Sequence, residues 1–317
     1  MSDIAHLLIP FAAAEAPECR QALAGLQLPR LEKLLARLQR AAADHGSAHD
    51  LSLPHERVLA RAWGLPAADG RTPWAAWQLR QWGRDPGRDA WACITPCHWR
   101  VGSDHVAMDD PARLQLDEAE SRAVLALVQP LFHGDGIELE YAAATSWLAR
   151  GEVFRELPVA SLDRVIGRAV DAWLPRMTAA GPLRRLQQEV QMLLYTSAAN
   201  EHRQQRGLVP VNSFWVSGAG ALPSAAGALP AGLRVAEDLR APALAGDWAA
   251  WAAAWRQLDE RDGTQLLDAA AAGRQLTLTL CGERNAQSWT SAGGAGLLRR
   301  VSGLFAAKQA TAVLEAL

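Results

Sequence analysis

Residues 181–220, GPLRRLQQEVQMLLYTSAANEHRQQRGLVPVNSFWVSGAG, decide how the chain is read. Pro182 suits the first turn of a helix, and Leu183, Leu186, Val190 and Leu193 recur at three- and four-residue spacing, which gives one apolar stripe. The pattern predicts a single helix to about Gln205, stopped by Gly207 and Pro210. Residues 211–216 then form a run of β-branched and aromatic residues, the signature of a strand covered on both faces. Gly218 and Gly220 read as a loop able to turn tightly or to approach a ligand. A helix feeding a buried strand is α/β logic. The glycines make a poor dinucleotide fingerprint, because a third glycine is missing and Pro223 stands where the helix should open.

Working outward, 317 residues can bury a large core and suggest two domains at roughly 150 residues each. A net charge of −2 excludes a broad basic surface for nucleic acid. Cys19, Cys93, Cys97 and Cys281 are too scattered for a disulfide framework, which points to a reducing cytoplasm. The N-terminal run lacks a positive leader and reads as a strand rather than a signal peptide, and no apolar run reaches the ~20 residues of a membrane span. The Trp residues read as core or boundary residues, dispersed and without a stacking motif.

Residues 4–11 suit a central parallel strand. Leu28, Leu31, Leu35 and Leu38 give a helical stripe ending near His45 and Gly46. Residues 54–63 and 73–82 read as helices closed by Gly64 and Gly83. Residues 90–101 and 106–108 read as strands, 117–131 as a helix, and 137–141 with 145–149 as two short strands. This β-rich run interrupts the α/β pattern, so an inserted α+β domain is placed at 93–176, with 1–92 and 177–317 forming one core. Residues 221–232 read as a surface loop, 247–258 and 262–272 as helices, 275–281 as a late strand, and the tail from Leu297 as further helix.

The central stretch also carries a resemblance. Leu183-x-x-Leu-Gln, followed by Leu193-Leu-x-x-Ser-Ala-Ala-Asn200-x-x-Arg203-x-x-x-Gly207-x-x-Pro210-x-Asn212-x-x-Trp215-x-x-Gly218-x-Gly220, resembles a segment of the archaeal-type cofactor-independent phosphoglycerate mutases of the alkaline phosphatase superfamily. It is similar as well to the bacterial RpfE-like regulatory proteins. The resemblance implies an alkaline-phosphatase-like core sheet flanked by helices, with a smaller inserted domain. It also implies a substrate cleft near Arg71, Arg164, Arg168 and Arg203. With His98, Asn200 and Asn212 these arginines form the candidate anion site, for a small phosphorylated or carboxylate ligand.

Mutases of this kind need a metal-activated serine and a shell of Asp and His ligands. The position matching that serine, nine residues before Gly64, is His55. The early strand ends in Ile9-Pro10-Phe11 where the resemblance implies a metal-binding Asp. Gly282-Glu283 follows the late strand where an Asp-His pair would stand, and no histidine occurs after His202. No catalytic residue, metal ligand or cofactor is therefore assigned. The chain is expected to be a catalytically degenerate binding or regulatory protein of a bacterial cytoplasm, with a small ligand or a protein partner and neither nucleic acid nor membrane. The alternative is an active mutase or a metal-dependent phosphohydrolase, the latter using His98, Asp104 and His105. Trp215 is expected to pack on the stripe of Leu186, Val190 and Leu193. Arg203→Ala is expected to spare stability and weaken anion binding.

Overall fold

The computed structural model describes residues 4–224, 231–291 and 310–317. The chain opens with β1 (His6–Ile9), α1 (Pro17–Ala24), α2 (Pro29–Arg37), β2 (Gln39–Asp44) and α3 (Pro54–Ala62). Next come α4 (Trp74–Gln81), β3 (Ala90–Cys97), the hairpin of β4 (Trp99–Val101) and β5 (Val106–Met108), α5 (Glu118–Gly134), β6 (Glu138–Ala143) and β7 (Ser146–Arg150). After α6 (Leu162–Val165) follow α7 (Gly181–Tyr195), α8 (Ala198–Gln205) and β8 (Ser213–Ala221). The last part holds β9 (Leu233–Val235), α9 (Arg240–Ala245), α10 (Trp248–Leu258), α11 (Thr264–Ala271), β10 (Thr277–Cys281), β11 (Ala286–Thr290) and α12 (Ala310–Glu315). Two compact units result, residues 1–63 with 228–317, and residues 64–227. The second unit is wider than 93–176, because β8 pairs with β3 along most of its length and brings α7 and α8 with it.

The first unit is an α/β layer built on a five-stranded sheet ordered β2-β11-β10-β1-β9. β1 runs parallel to both β10 and β9, while β11 is antiparallel to its two neighbours. Strand alternation sends Leu7, Ile9, Leu278, Leu280 and Trp289 to one face, where they meet Leu31, Leu34 and Leu35 of α2 and Trp251 and Trp255 of α10. Each such side chain contributes on the order of 1.5–3 kcal/mol of burial free energy. The start of α2 is capped from afar: Asp259, in a π-helical turn, accepts the backbone N–H groups of Arg30 and Leu31 at 3.2 and 2.7 Å. The Leu28 stripe does not reach His45. It ends at Arg37, and residues 39–44 become an edge strand because β11 offers them a ladder.

The second unit is a four-stranded antiparallel sheet ordered β6-β7-β3-β8. Val124, Val128 and Phe132 of α5 and Leu186 and Val190 of α7 pack on one face, against Ile94, Trp147, Phe214 and Val216. Three expectations are corrected here. The helix predicted to Gln205 breaks after Tyr195, where Ser197 Oγ accepts the N–H of Asn200 and starts α8. Gly218 lies inside β8 rather than in a loop, at φ +60°, and a Cβ there would sit 2.8 Å from Trp74 Cβ, so the glycine admits the first turn of α4. Trp215 points away from the α7 stripe, which Phe214 and Val216 meet instead; it is 2% exposed and its Nε1 donates to Ala160 O at 3.0 Å. The tail predicted from Leu297 is described only from residue 310, where α12 is helical; residues 297–309 lie outside the described residues.

On the sheet face opposite its leucine layer, the first unit carries a polar row in which His6 Nε2 lies 2.9 Å from Thr279 Oγ1, itself 2.8 Å from Ser288 Oγ. Burial lowers the His6 pKa from its ordinary value of 6.5. Charging this imidazole is therefore easier in the unfolded chain. Its contribution to stability is complete above the unfolded value and is lost as pH falls from about 6.5 toward the folded value. Urea melts of the wild type and of His6→Gln across this range should show a smaller acid-side decline in the variant; equal declines would remove His6 from the account.

Candidate functional site

Four of the seven residues expected to hold an anion converge on one loop: three grip its residues 209, 210 and 211 in turn, and the fourth, Asn212, ties the loop to Trp99. Arg203 Nε donates to Val209 O at 3.0 Å, and His98 Nδ1 to Pro210 O at 2.9 Å. The Asn200 side chain accepts the Val211 N–H at 2.9 Å and donates to Val211 O at 2.7 Å and Leu194 O at 2.8 Å. Asn212 accepts the Trp99 N–H at 2.7 Å and donates to Trp99 O at 2.9 Å. Arg203 is 1% exposed and gives its other nitrogens to Glu120, at 2.5 Å, and to Leu114 O. Burial works against its charge, and Glu120 opposes that effect.

The remaining arginines make other contacts. Arg71 pairs with Glu156 at 2.6 Å on an exposed surface. Arg164 is fully buried, with its guanidinium 5.7 Å from the Trp173 ring centre. Arg168 is exposed, and its carbonyl accepts the Met108 N–H at 3.2 Å. Of the residues expected to form one anion site, Arg71, His98, Arg164, Arg168, Asn200, Arg203 and Asn212, the structure places Asn200, Arg203 and Asn212 in a loop clamp with donors on the protein's own carbonyls. His98 and His105 likewise part company, since His105 binds Asp104 at 2.7 Å on the hairpin turn and holds that carboxyl below its ordinary pKa. Among the described residues, no three His, Cys, Asp or Glu side chains are grouped to hold a metal.

A second place is built at the carboxyl ends of β1 and β10, where open α/β sheets bind their ligands. Phe11 there has φ +54°, a left-handed conformation that costs a bulky residue free energy and is found where surrounding structure enforces it. Two indoles enforce it here: Trp251 Nε1 donates to Phe11 O at 2.9 Å and Trp255 Nε1 to Ala12 O at 3.2 Å. Trp248, Trp251 and Trp255 stack edge to face at 5.9 and 6.3 Å, which corrects the expectation of dispersed tryptophans. Their spacing of three and four residues was the signal for it. The Phe11 ring lies 5.5 Å from the His55 imidazole, and Ala12 N donates to Cys281 O at 2.8 Å.

Around this turn the polar groups hold one another. Glu283 accepts the N–H of Glu15 at 3.0 Å, and Arg284 pairs with Glu15. Arg57, 7% exposed, donates to Asp44 at 2.7 Å, to Ser52 O at 2.8 Å and to Arg284 O at 2.9 Å. A Cβ on Gly282 would lie 2.7 Å from Leu317 Cβ, and Asn285 N donates to Leu317 O at 3.1 Å. The positions singled out in sequence at Phe11, His55 and Gly282 are therefore neighbours, furnished with rings, an ion pair and a leucine.

No protein-family model and no curated protein matches the chain. Among solved structures it is similar to the cofactor-independent phosphoglycerate mutase from Thermoplasma acidophilum DSM 1728, with 14% identity, a TM-score of 0.38, and 92% of this chain and 91% of that chain covered. It is similar also to the PH0037 protein from Pyrococcus horikoshii, with 12% identity, a TM-score of 0.46 and coverage of 93% and 89%. No described helix is long and apolar enough to cross a membrane.

The loop clamp makes a direct prediction. Arg203→Ala should lose on the order of 3 kcal/mol, because it strands the Val209 and Leu114 carbonyls and leaves Glu120 with Arg206 as its remaining arginine partner, and Asn200→Ala about 1–3 kcal/mol for the Val211 groups left unsatisfied. Exposed Arg71→Ala should stay within about 0.5 kcal/mol of wild type. Chemical denaturation of the three variants checks this, and an Arg203→Ala protein as stable as wild type would return that residue to a ligand-binding role.

Proposed function

We propose that the chain is a catalytically silent protein of phosphoglycerate-mutase-like build, acting as a binding or regulatory protein in the manner of the RpfE-like proteins it resembles in sequence. The observation that carries this reading is the furnishing of the carboxyl end of β1 and β10. Phosphoryl transfer through a serine needs a hydroxyl made nucleophilic by cations and a carboxylate and imidazole shell to hold them. At the corresponding places stand the Phe11 ring, with no donor atom, against His55, and Leu317 against Gly282. Glu283 is hydrogen-bonded to the Glu15 amide and Arg57 is spread over Asp44, Asp50 and two carbonyls, so these polar groups hold one another and the local backbone. A small carboxylate or phosphorylated ligand in a bacterial cytoplasm is the partner this reading implies.

The test is elemental analysis of the purified protein together with a mutase assay in added manganese and zinc. The expected outcome is no stoichiometric metal pair and no turnover of 3-phosphoglycerate. Two equivalents of metal per chain accompanied by mutase activity would replace the proposal with the enzyme.

A further inference from the structure

We infer that the pocket beside the β1 and β10 ends is a binding site for a small zwitterionic amino acid. The cavity measures ≈ 110 Å³ and is bounded by the chain after β1, the chain after β10, α1 and α12. An apolar cavity of about 150 Å³ accepts benzene, so this one takes about five or six non-hydrogen atoms, the size of glycine or alanine.

The charges lining it select the ligand class. Glu15 and Arg284 already pair with each other, and Glu283 holds the Glu15 amide. Two charged side chains remain, Arg20 on α1 and Glu315 on α12; among the described residues neither makes an ion pair or a hydrogen bond. One guanidinium and one carboxylate on facing helices call for a ligand that carries one group of each sign. The Arg20 fork takes a carboxylate and Glu315 an ammonium. Leu23 and Leu317 supply apolar wall for a short aliphatic stem. The same charges disfavour phosphate, since three glutamates and two arginines leave the lining net negative.

This inference rests on the proposed reading of the chain as a binding protein, and it names a place and a ligand class for that binding. The experiment is titration calorimetry of the full chain with alanine, and in parallel with propionate, ethylamine and 3-phosphoglycerate. Alanine should bind at least about tenfold more tightly than any of the other three. Arg20→Gln and Glu315→Gln should each weaken alanine by about tenfold or more while leaving the melting temperature of the unliganded protein unchanged, because both side chains are exposed. Absence of alanine binding, equal binding of propionate or ethylamine, tighter binding of 3-phosphoglycerate, or alanine binding indifferent to both substitutions would each overturn the proposal. Metal content and mutase turnover report separately on the proposed function, so the two can fail independently.

Discussion

A buried amide side chain that imitates a strand carries much of the second unit. Asn200 accepts from Val211 N and donates to Val211 O, the two bonds a neighbouring strand residue would make, and adds a third to Leu194 O. That triple attachment fixes the end of α7, the start of α8 and the entry to β8 relative to one another. Two residues later, Ser213 pairs with Cys97, and the register of β8 on β3 is set. The faces of β8 follow from that register. Phe214 and Val216 go to the helices α5 and α7, and Trp215 goes to the other side. Arg203 completes the clamp two residues before Asn200's own target, at Val209, and Asn212, one residue after it, ties the loop to Trp99.

The first unit has an analogous fixed point at Phe11. A bulky residue in a left-handed turn persists because Trp251 and Trp255 bond its own carbonyl and that of Ala12 after it, and because His55 backs the ring. The bend diverts the chain after β1 toward α1, which is how Glu15 and Arg20 come to line the same cavity as Arg284 and Glu315.

Much of this was legible in the chain wherever the signal was local. β1, β10, α3 and α10 appear at the expected places, because continuous apolar runs, Pro54 at a helix start and Asp247 as an N-cap speak for themselves. β2 was not legible: Gln-Arg-Ala-Ala-Ala-Asp has helical propensity, and only pairing with β11, more than two hundred residues on, makes it a strand. The spacing of Asn200, Arg203 and Asn212 stood out in sequence, but the role did not. A polar side chain selected to grasp a backbone carbonyl and one selected to grasp an anion are the same residue types, and the partner that separates them is non-local. The left-handed Phe11 left no trace, since its cause lies two hundred and forty residues away in the tryptophans of α10.

The strand order of the first unit sets a timetable for synthesis. β1 has no partner near it in sequence: His6 pairs with Leu233 on one side and Thr277 on the other. While the ribosome works through the intervening residues, the apolar His-Leu-Leu-Ile segment waits with both edges open, a hazard for association with other chains. The sheet of the second unit is complete by Ala221 and can form during that wait, so the nascent chain acquires its later-placed domain before its N-terminal one. Slowing or stalling translation between β8 and β10 would therefore lengthen the exposure of one strand in particular, and a chaperone acting on this protein would find its target in His6–Ile9.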